Sequence, residues 1–494
     1  MTNYKASVIQ KNVFLMTKFI ILFSALIFMG NCSPKSTTSN EIDPENSIPQ
    51  INYSKVDLYV TKADKSELFR LQPTKVPSYR ENTNFSITIN PETEYQEIDG
   101  FGYTLTGGSA LHINKMTSSN RSSLLDELFR ADNENIGVSY LRISIGASDL
   151  DEAPFSYNDL PPGETDEEMT KFSIEKDRDN LIPVLKEILT INPNIKILGS
   201  PWSPPTWMKT NQNFKGGSLK PEYYNAYANY FVKYIQAMAS EGIIIDAITV
   251  QNEPLHPGNN PSLLMEASDQ AVFVKNHLGP AFEKAGISTK IIIYDHNADR
   301  IDYPMSILDD PEANKYIDGS AFHLYGGNIS ALSNIYQKHP DKNLYFTEQW
   351  VGVNSEFEDN LKWHTRELII GATRNWCKTV LEWNLASNSN LEPHTEGGCT
   401  ECLGALTIDG DRVNRNVAYY IIAHASKFVR PGSIRVSSNN SVDLPNVAFK
   451  TPSGQIVVVV LNNTSIDRSF NIHAPDESIT TSLKAGSVGT YVWN

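Results

Sequence analysis

Eight short apolar runs separated by helical patterns constrain this chain more than any other feature. They are Ile98–Gly102, Gly137–Ser144, Lys196–Ser200, Asp246–Gln251, Lys290–Asp295, Gly319–His323, Asn343–Glu348 and Thr379–Asn384. Between them, apolar residues recur at helical spacing. In residues 221–241, for example, Tyr223, Tyr227, Tyr230, Phe231, Tyr234 and Met238 form one stripe, read as core rather than ligand box. Parallel strands need crossovers, and helices supply them. Strand and helix alternating eight times within residues 97–426 therefore predict an α/β fold, a (β/α)₈ TIM barrel.

Both ends of the chain are strand-rich instead. Val56–Thr61 and Phe85–Ile89 precede the barrel region, and Ile456–Leu461 and Gly489–Trp493 follow it. Residues 51–96 and 427–494 are expected to meet in a side β-sandwich. At the extreme N-terminus, Lys5, Lys11 and Lys18 precede an apolar run, Phe19–Met29, which ends in Gly30-Asn31-Cys32. That is the layout of an export signal, residues 1–31, too short to span a bilayer. Cys32 is expected to be lipidated as in bacterial lipoproteins, with the Ser/Thr/Asn-rich residues 32–50 as a flexible tether. An ordinary cleaved signal is the alternative, since Asn31 is atypical before a lipidated cysteine. Either way the protein is exported, and any membrane contact is through the anchor at the cell envelope.

The net charge of −15 opposes a nucleic-acid footprint, which would be basic. Cys399 and Cys402 form a lone CxxC in a glycine-rich stretch. A zinc half-site would want a second pair, and a thioredoxin motif would open a helix. Outside the cytoplasm a local disulfide is the expected state, leaving Cys377 unpaired and buried.

The apolar runs end in residues a core would not choose. Glu253 stands just past the fourth strand, in Gln251-Asn252-Glu253-Pro254, and Glu348 closes the seventh, in Thr347-Glu348-Gln349-Trp350. In such barrels the C-terminal strand ends build the catalytic face. A carboxylate placed there must desolvate or find a partner. Each alone could cap a strand or pair with an arginine. Two of them suit acetal hydrolysis, in which one protonates the departing oxygen and the other stabilises the oxocarbenium-like centre. Trp202 after the third strand, Trp383 closing the eighth, and His323 and Tyr325 closing the sixth surround the same face. Indoles hold the apolar face of sugar rings. No HxH or HExxH spacing marks a metal site, although His323, Asp295 and His296 are available, and no cofactor motif is present. A non-catalytic carbohydrate-binding barrel is the rival from another class, and it would not keep both glutamates.

Asp99-Gly100-Phe101-Gly102, Arg142 with Asp149, Ser200-Pro201-Trp202 through Lys209, Gln251-Asn252-Glu253-Pro254, His323, Thr347-Glu348 and Glu382-Trp383-Asn384-Leu385 together resemble glycoside hydrolase family 30. These are the glucosylceramidase-like and β-1,6-glucanase-like retaining enzymes, and the likeness covers nearly the whole mature chain. The resemblance implies Glu253 as acid/base and Glu348 as nucleophile. It implies Asn252 on the sugar 2-hydroxyl, Arg142 beneath the nucleophile, and Asp149, Trp202 and Trp383 around the sugar with His323 and Tyr325 beside them. The segment Tyr103–Ser109 departs from the family pattern, and no role is carried over there. The expected substrate is a β-glucan cut at β-1,6 bonds, with glucosylceramide as the alternative.

Overall fold

The computed structural model describes residues 55–494 except 76 and 476. The expected signal peptide, Cys32 and the whole of the expected tether lie outside the described residues. Eight parallel strands close into a barrel in chain order: β1 (Gly100–Thr104), β2 (Tyr140–Ser144), β3 (Lys196–Ser200), β4 (Ala247–Thr249), β5 (Lys290–Ala298), β6 (Ile317–Gly327), β7 (Asn343–Glu348) and β8 (Cys377–Asn384). All eight predicted runs are strands of this barrel.

Several bounds differ from the sequence reading, and those near the site do so for local reasons. Ile98 ends the preceding strand, Phe85–Ile98, rather than opening β1. The chain turns at Gly100, whose φ is 149°, and a Cβ there would meet Ser139 Oγ at 2.5 Å. β4 stops at Thr249, so Gln251, Asn252 and Glu253 sit on the loop that follows. β5 and β6 run on past their apolar cores to Ala298 and Gly327, carried by pairing with each other through three register shifts.

Inside the barrel, Tyr140, Leu198, Ala247, Ile292, Ala321, Tyr345 and Leu381 form one buried apolar layer. Outside it, the aromatic stripe of helix Tyr224–Ser240 is buried, as its spacing predicts.

The two chain ends do meet. Val56–Thr61 pairs antiparallel with Val488–Trp493, and Phe85–Ile98 pairs with Ser433–Ser438, within a nine-stranded sheet. Strand Ile456–Leu461 shows how this unit joins the barrel. Ile456, Val458 and Val460 enter the sheet's own core, while Val457, Val459 and Leu461 enter the large core shared with the barrel. A strand buried on both faces reads as an unbroken aliphatic run, which is why this one has no polar alternation.

Candidate active site

Two residues beyond the apolar layer, the same strands present a polar layer organised by Arg142 of β2. The guanidinium is fully buried. Its Nη1 donates to Glu348 Oε2 at 2.5 Å, and Nη2 donates to Asn252 Oδ1 at 2.6 Å and to Asp295 Oδ2 at 2.9 Å. The rings of Trp202 and Trp383 cover it, with centroids 4.7 and 5.7 Å from the guanidinium carbon. A buried cation is tolerable only with such compensation.

Asp295 is the second hub. Besides Arg142 it accepts from Ser200 (2.9 Å), Thr249 (2.8 Å) and Thr347 (2.6 Å). Burial alone would raise its pKa, yet Arg142 and His323 hold the carboxyl far below the usual range. It is a fixed anion. His323 bridges it to the reaction centre, with Nε2 3.1 Å from Asp295 Oδ1 and Nδ1 3.2 Å from Glu253 Oε1. Burial opposes a charge on this ring, but Glu348, Asp295 and Glu253 outweigh it and push the imidazole up to about 9.

The two glutamates face each other. One oxygen of Glu253, one of Glu348 and a nitrogen of His323 all lie within 4.8 Å of one another. Retaining glycosidases place their carboxyl groups roughly 5–5.5 Å apart, against about 6.5–9.5 Å for inverting ones. Glu348 accepts from Arg142 on one oxygen and from the Tyr325 hydroxyl, at 3.0 Å, on the other. Burial and the proximity of Glu253 raise its pKa, against the pull of His323 and Arg142. Glu253 is half-buried, which raises its pKa, but the His323 ring and the surrounding histidines outweigh this and hold it down. The sequence chemistry asks for an acid kept protonated by burial. The fold instead sets the His323 ring 3.2 Å from the Glu253 carboxyl, where a charge on the ring favours the ionised carboxylate. Carboxylates this close titrate as a pair. Their hydrogen bonds separate the roles: Glu348 is held by two donors aimed at its oxygens, whereas Glu253 has one partner and opens onto the pocket. Glu253 also adopts a left-handed backbone, φ 44°, its N–H donating to Asp295 O at 3.0 Å. For a non-glycine residue that conformation is costly and is kept where the site requires it.

The pocket above them, about 370 Å³, is lined by Asp149, Trp202, Asn252, Tyr325 and Trp383 as well as both glutamates. Asn252 spends its carbonyl on Arg142, which leaves its amide N–H groups for a sugar hydroxyl. Asp149 accepts from Cys399 N–H at 3.1 Å, and burial with the nearby Glu348 charge pushes it up to about 7. Cys399 and Cys402 are joined in a disulfide that forms part of the pocket wall, and Cys377 is free and buried. Lys209 clamps the loop after β3 by donating to Ser203 Oγ and the carbonyls of Phe214 and Ser262, its pKa pushed down to about 7 by burial.

Every predicted site residue among the described residues converges here, but not all in the expected place. Arg142 lies beneath Glu348, as the resemblance implies, whereas His323, expected beside the sugar, is fully buried behind the carboxylates and does not line the pocket. The sequence reading passed over Asp295 except as a conceivable metal ligand. It named Gln251 and Trp350 in motifs without giving them a role; Gln251 Nε2 donates to the Trp202 carbonyl at 2.7 Å, and Trp350 lines the pocket. An aspartate ending the aliphatic run Lys290–Tyr294 was the available signal. Glu253, His323 and Glu348 could in principle surround a cation. Both His323 nitrogens are engaged by carboxylates, however, and a metal would have to displace its proton.

Comparison with known proteins agrees with this geometry. Residues 98–429 match the glycosyl hydrolase family 30 TIM-barrel domain, and residues 432–491 match the family 30 beta sandwich domain. The chain is 33% identical over 422 residues to an endo-1,6-β-D-glucanase of Aspergillus fumigatus, covering 78% of this chain and 84% of that one. It is 30% identical over 448 residues to the lysosomal acid glucosylceramidase of Mus musculus, covering 85% of each. A solved structure described as an endo-β1,6-glucanase superposes with a TM-score of 0.82 at 37% identity, covering 89% of this chain and 99% of that one. The barrel, the sandwich built from both chain ends and the paired carboxylates are therefore those of a glycoside hydrolase, and the chain belongs to glycosyl hydrolase family 30.

Proposed function

We propose that the enzyme hydrolyses β-1,6-glucosidic bonds of a β-glucan with retention of configuration. The observation that carries the retaining mechanism is the pair of carboxylate oxygens within 4.8 Å over one pocket. Glu348 attacks the anomeric carbon while Glu253 protonates the departing O6 of the neighbouring unit, giving a covalent glucosyl-enzyme. Glu253 then takes a proton from water, which attacks the same carbon and restores the β-configuration. Asn252 donates to the 2-hydroxyl as positive charge develops. Trp202 and Trp383 wall the ring, and Asp149 accepts from sugar hydroxyls.

The choice of β-1,6-glucan rests on the 33–34% identity to fungal endo-1,6-β-D-glucanases and the 37% identity to a solved one. Glucosylceramide is the second reading, favoured by the 30% identity to the mouse enzyme. Incubation with β-1,6-glucan and with glucosylceramide separates them: sugar release from the first alone is expected, and release from the second alone overturns the assignment. The enzyme acts outside the cytoplasm, tethered through a lipid on Cys32. Radiolabelled palmitate is expected to enter the wild-type protein and not Cys32→Ser, and equal labelling would refute the anchor.

A further inference from the structure

Residues 388–401, between the short strands Ala386–Ser387 and Cys402–Leu403, carry neither helix nor strand, yet they bring the disulfide Cys399–Cys402 to the catalytic pocket. We infer that this disulfide is a positioning element for sugar recognition. It anchors the peptide that holds the Asp149 carboxylate, so that the pocket grips the glucosyl unit fully only with the two cysteines oxidised. The inference rests on the reading of the pocket as the glucosyl site and is independent of the linkage cut.

Each end of the bridge has its own partner in the site. On the Cys399 side, the Cys399 N–H donates to Asp149 Oδ2 at 3.1 Å, and the Thr395 N–H donates to the Asp149 main-chain oxygen at 2.9 Å. The fit between these two bonds is close: a Cβ on Gly398 would lie 2.5 Å from that main-chain oxygen. On the other side, Cys402–Leu403 pairs antiparallel with Val351–Gly352, directly after Trp350, and the Val353 N–H donates to Glu401 O at 3.0 Å. Cys402 is buried with Leu150, Trp202 and Trp383 in one apolar cluster, against which Cys399 and Trp350 pack. The bridge therefore ties the loop after β2, which carries Asp149, to the strand after β7 and to the indoles that wall the pocket.

A bridge across a sequence separation of three removes less chain entropy from the unfolded state than one closing a long loop. Its place in the wall accounts for it better than global stability does. An ionised Asp149 accepts from sugar hydroxyls on both oxygens, whereas a protonated one has an oxygen that donates. Burial and the Glu348 charge push Asp149 up to about 7, and the Cys399 N–H works against them. With the bridge cut, Cys399 loses its covalent tie to the paired strand, and its N–H is no longer fixed on the carboxylate.

A double-mutant cycle on an activated aryl β-glucoside tests this. Cys399→Ser/Cys402→Ser is expected to lower kcat/KM by about tenfold, mostly through KM. In an Asp149→Ala background the same two replacements are expected to cost less than about twofold, because the group they would release is gone. Folded wild-type enzyme treated with dithiothreitol, its reduction verified by the mass gained on alkylation, should show the same tenfold loss. Reoxidation of an unalkylated sample should restore the activity. This arm serves if the serine variant does not fold. Unchanged kcat/KM in the serine variant or the reduced enzyme overturns the inference. An equal loss in both backgrounds also overturns it, since the bridge would then be a general brace. If wild-type enzyme does not cleave the aryl β-glucoside at all, the reading of the pocket fails and the inference with it.

Discussion

Two neighbouring layers inside the barrel are made by the same strands and could hardly differ more. On β2 the step is from Tyr140 to Arg142, on β3 from Leu198 to Ser200, on β4 from Ala247 to Thr249. On β6 it is from Ala321 to His323, on β7 from Tyr345 to Thr347, on β8 from Leu381 to Trp383. Both layers are buried. The lower holds the barrel by apolar packing, which is insensitive to pH and tolerant of modest repacking. The upper is a charge network in which Arg142, Asp295, His323 and the glutamates compensate one another, so removing one member strands another. The contrast teaches that a two-residue step along a strand separates the part that keeps the fold from the part that does chemistry.

The two layers should therefore respond differently to substitution. Glu348→Gln, in the upper layer, is expected to lower kcat on an aryl β-glucoside by about 10⁴-fold or more; retention of a tenth of the activity would sink the nucleophile assignment. Glu253→Ala should cost about 10²–10⁴-fold on a poor leaving group. On an activated substrate, added azide should restore turnover and yield the β-glycosyl azide, and an α-azide would instead indicate inversion. Arg142→Met leaves Asp295 and Glu348 buried beside a neutral chain, with an expected loss of about 3–5 kcal/mol in denaturant unfolding together with activity. Leu381→Ala, one layer down, should cost about 2–5 kcal/mol yet leave the pH profile of kcat/KM unchanged; a displaced profile would show that the layers are coupled.

The smallest effect concerns His323. Its folded pKa, about 9, lies above the ordinary 6.5, so the charged form stabilises the fold fully below pH 6.5 and that contribution is lost as pH rises toward 9. Activity should fall over the same alkaline range as Glu253 loses its proton-donating partner. Asp295→Asn, which removes one of the charges holding the proton on His323, should move that limb to lower pH, and an unmoved limb would detach His323 from catalysis.

The sequence by itself determined the eight strands, the helical crossovers, the strand-rich ends and the two glutamates. Those signals are local: periodicity needs only a few residues, and a carboxylate ending an apolar run is out of place whatever surrounds it. It also showed Trp202, Trp383 and the Cys399–Cys402 spacing, though not that the disulfide would wall the pocket against Asp149. Only the tertiary structure decided how Asp295 comes to the centre. By the two-residue alternation that carries Ile292 into the apolar layer, Tyr294 would follow it inward. Instead β5 shifts register between Tyr294 and His296, and left-handed backbone at Tyr294 and Asp295, φ 71° and 69°, turns the aspartate in. No residue pattern announces such a bulge, because the conformation is costly for both residues on their own. It is stabilised by partners more than forty positions away in sequence, among them Thr249, Thr347 and Arg142, and these exist only once the barrel has closed.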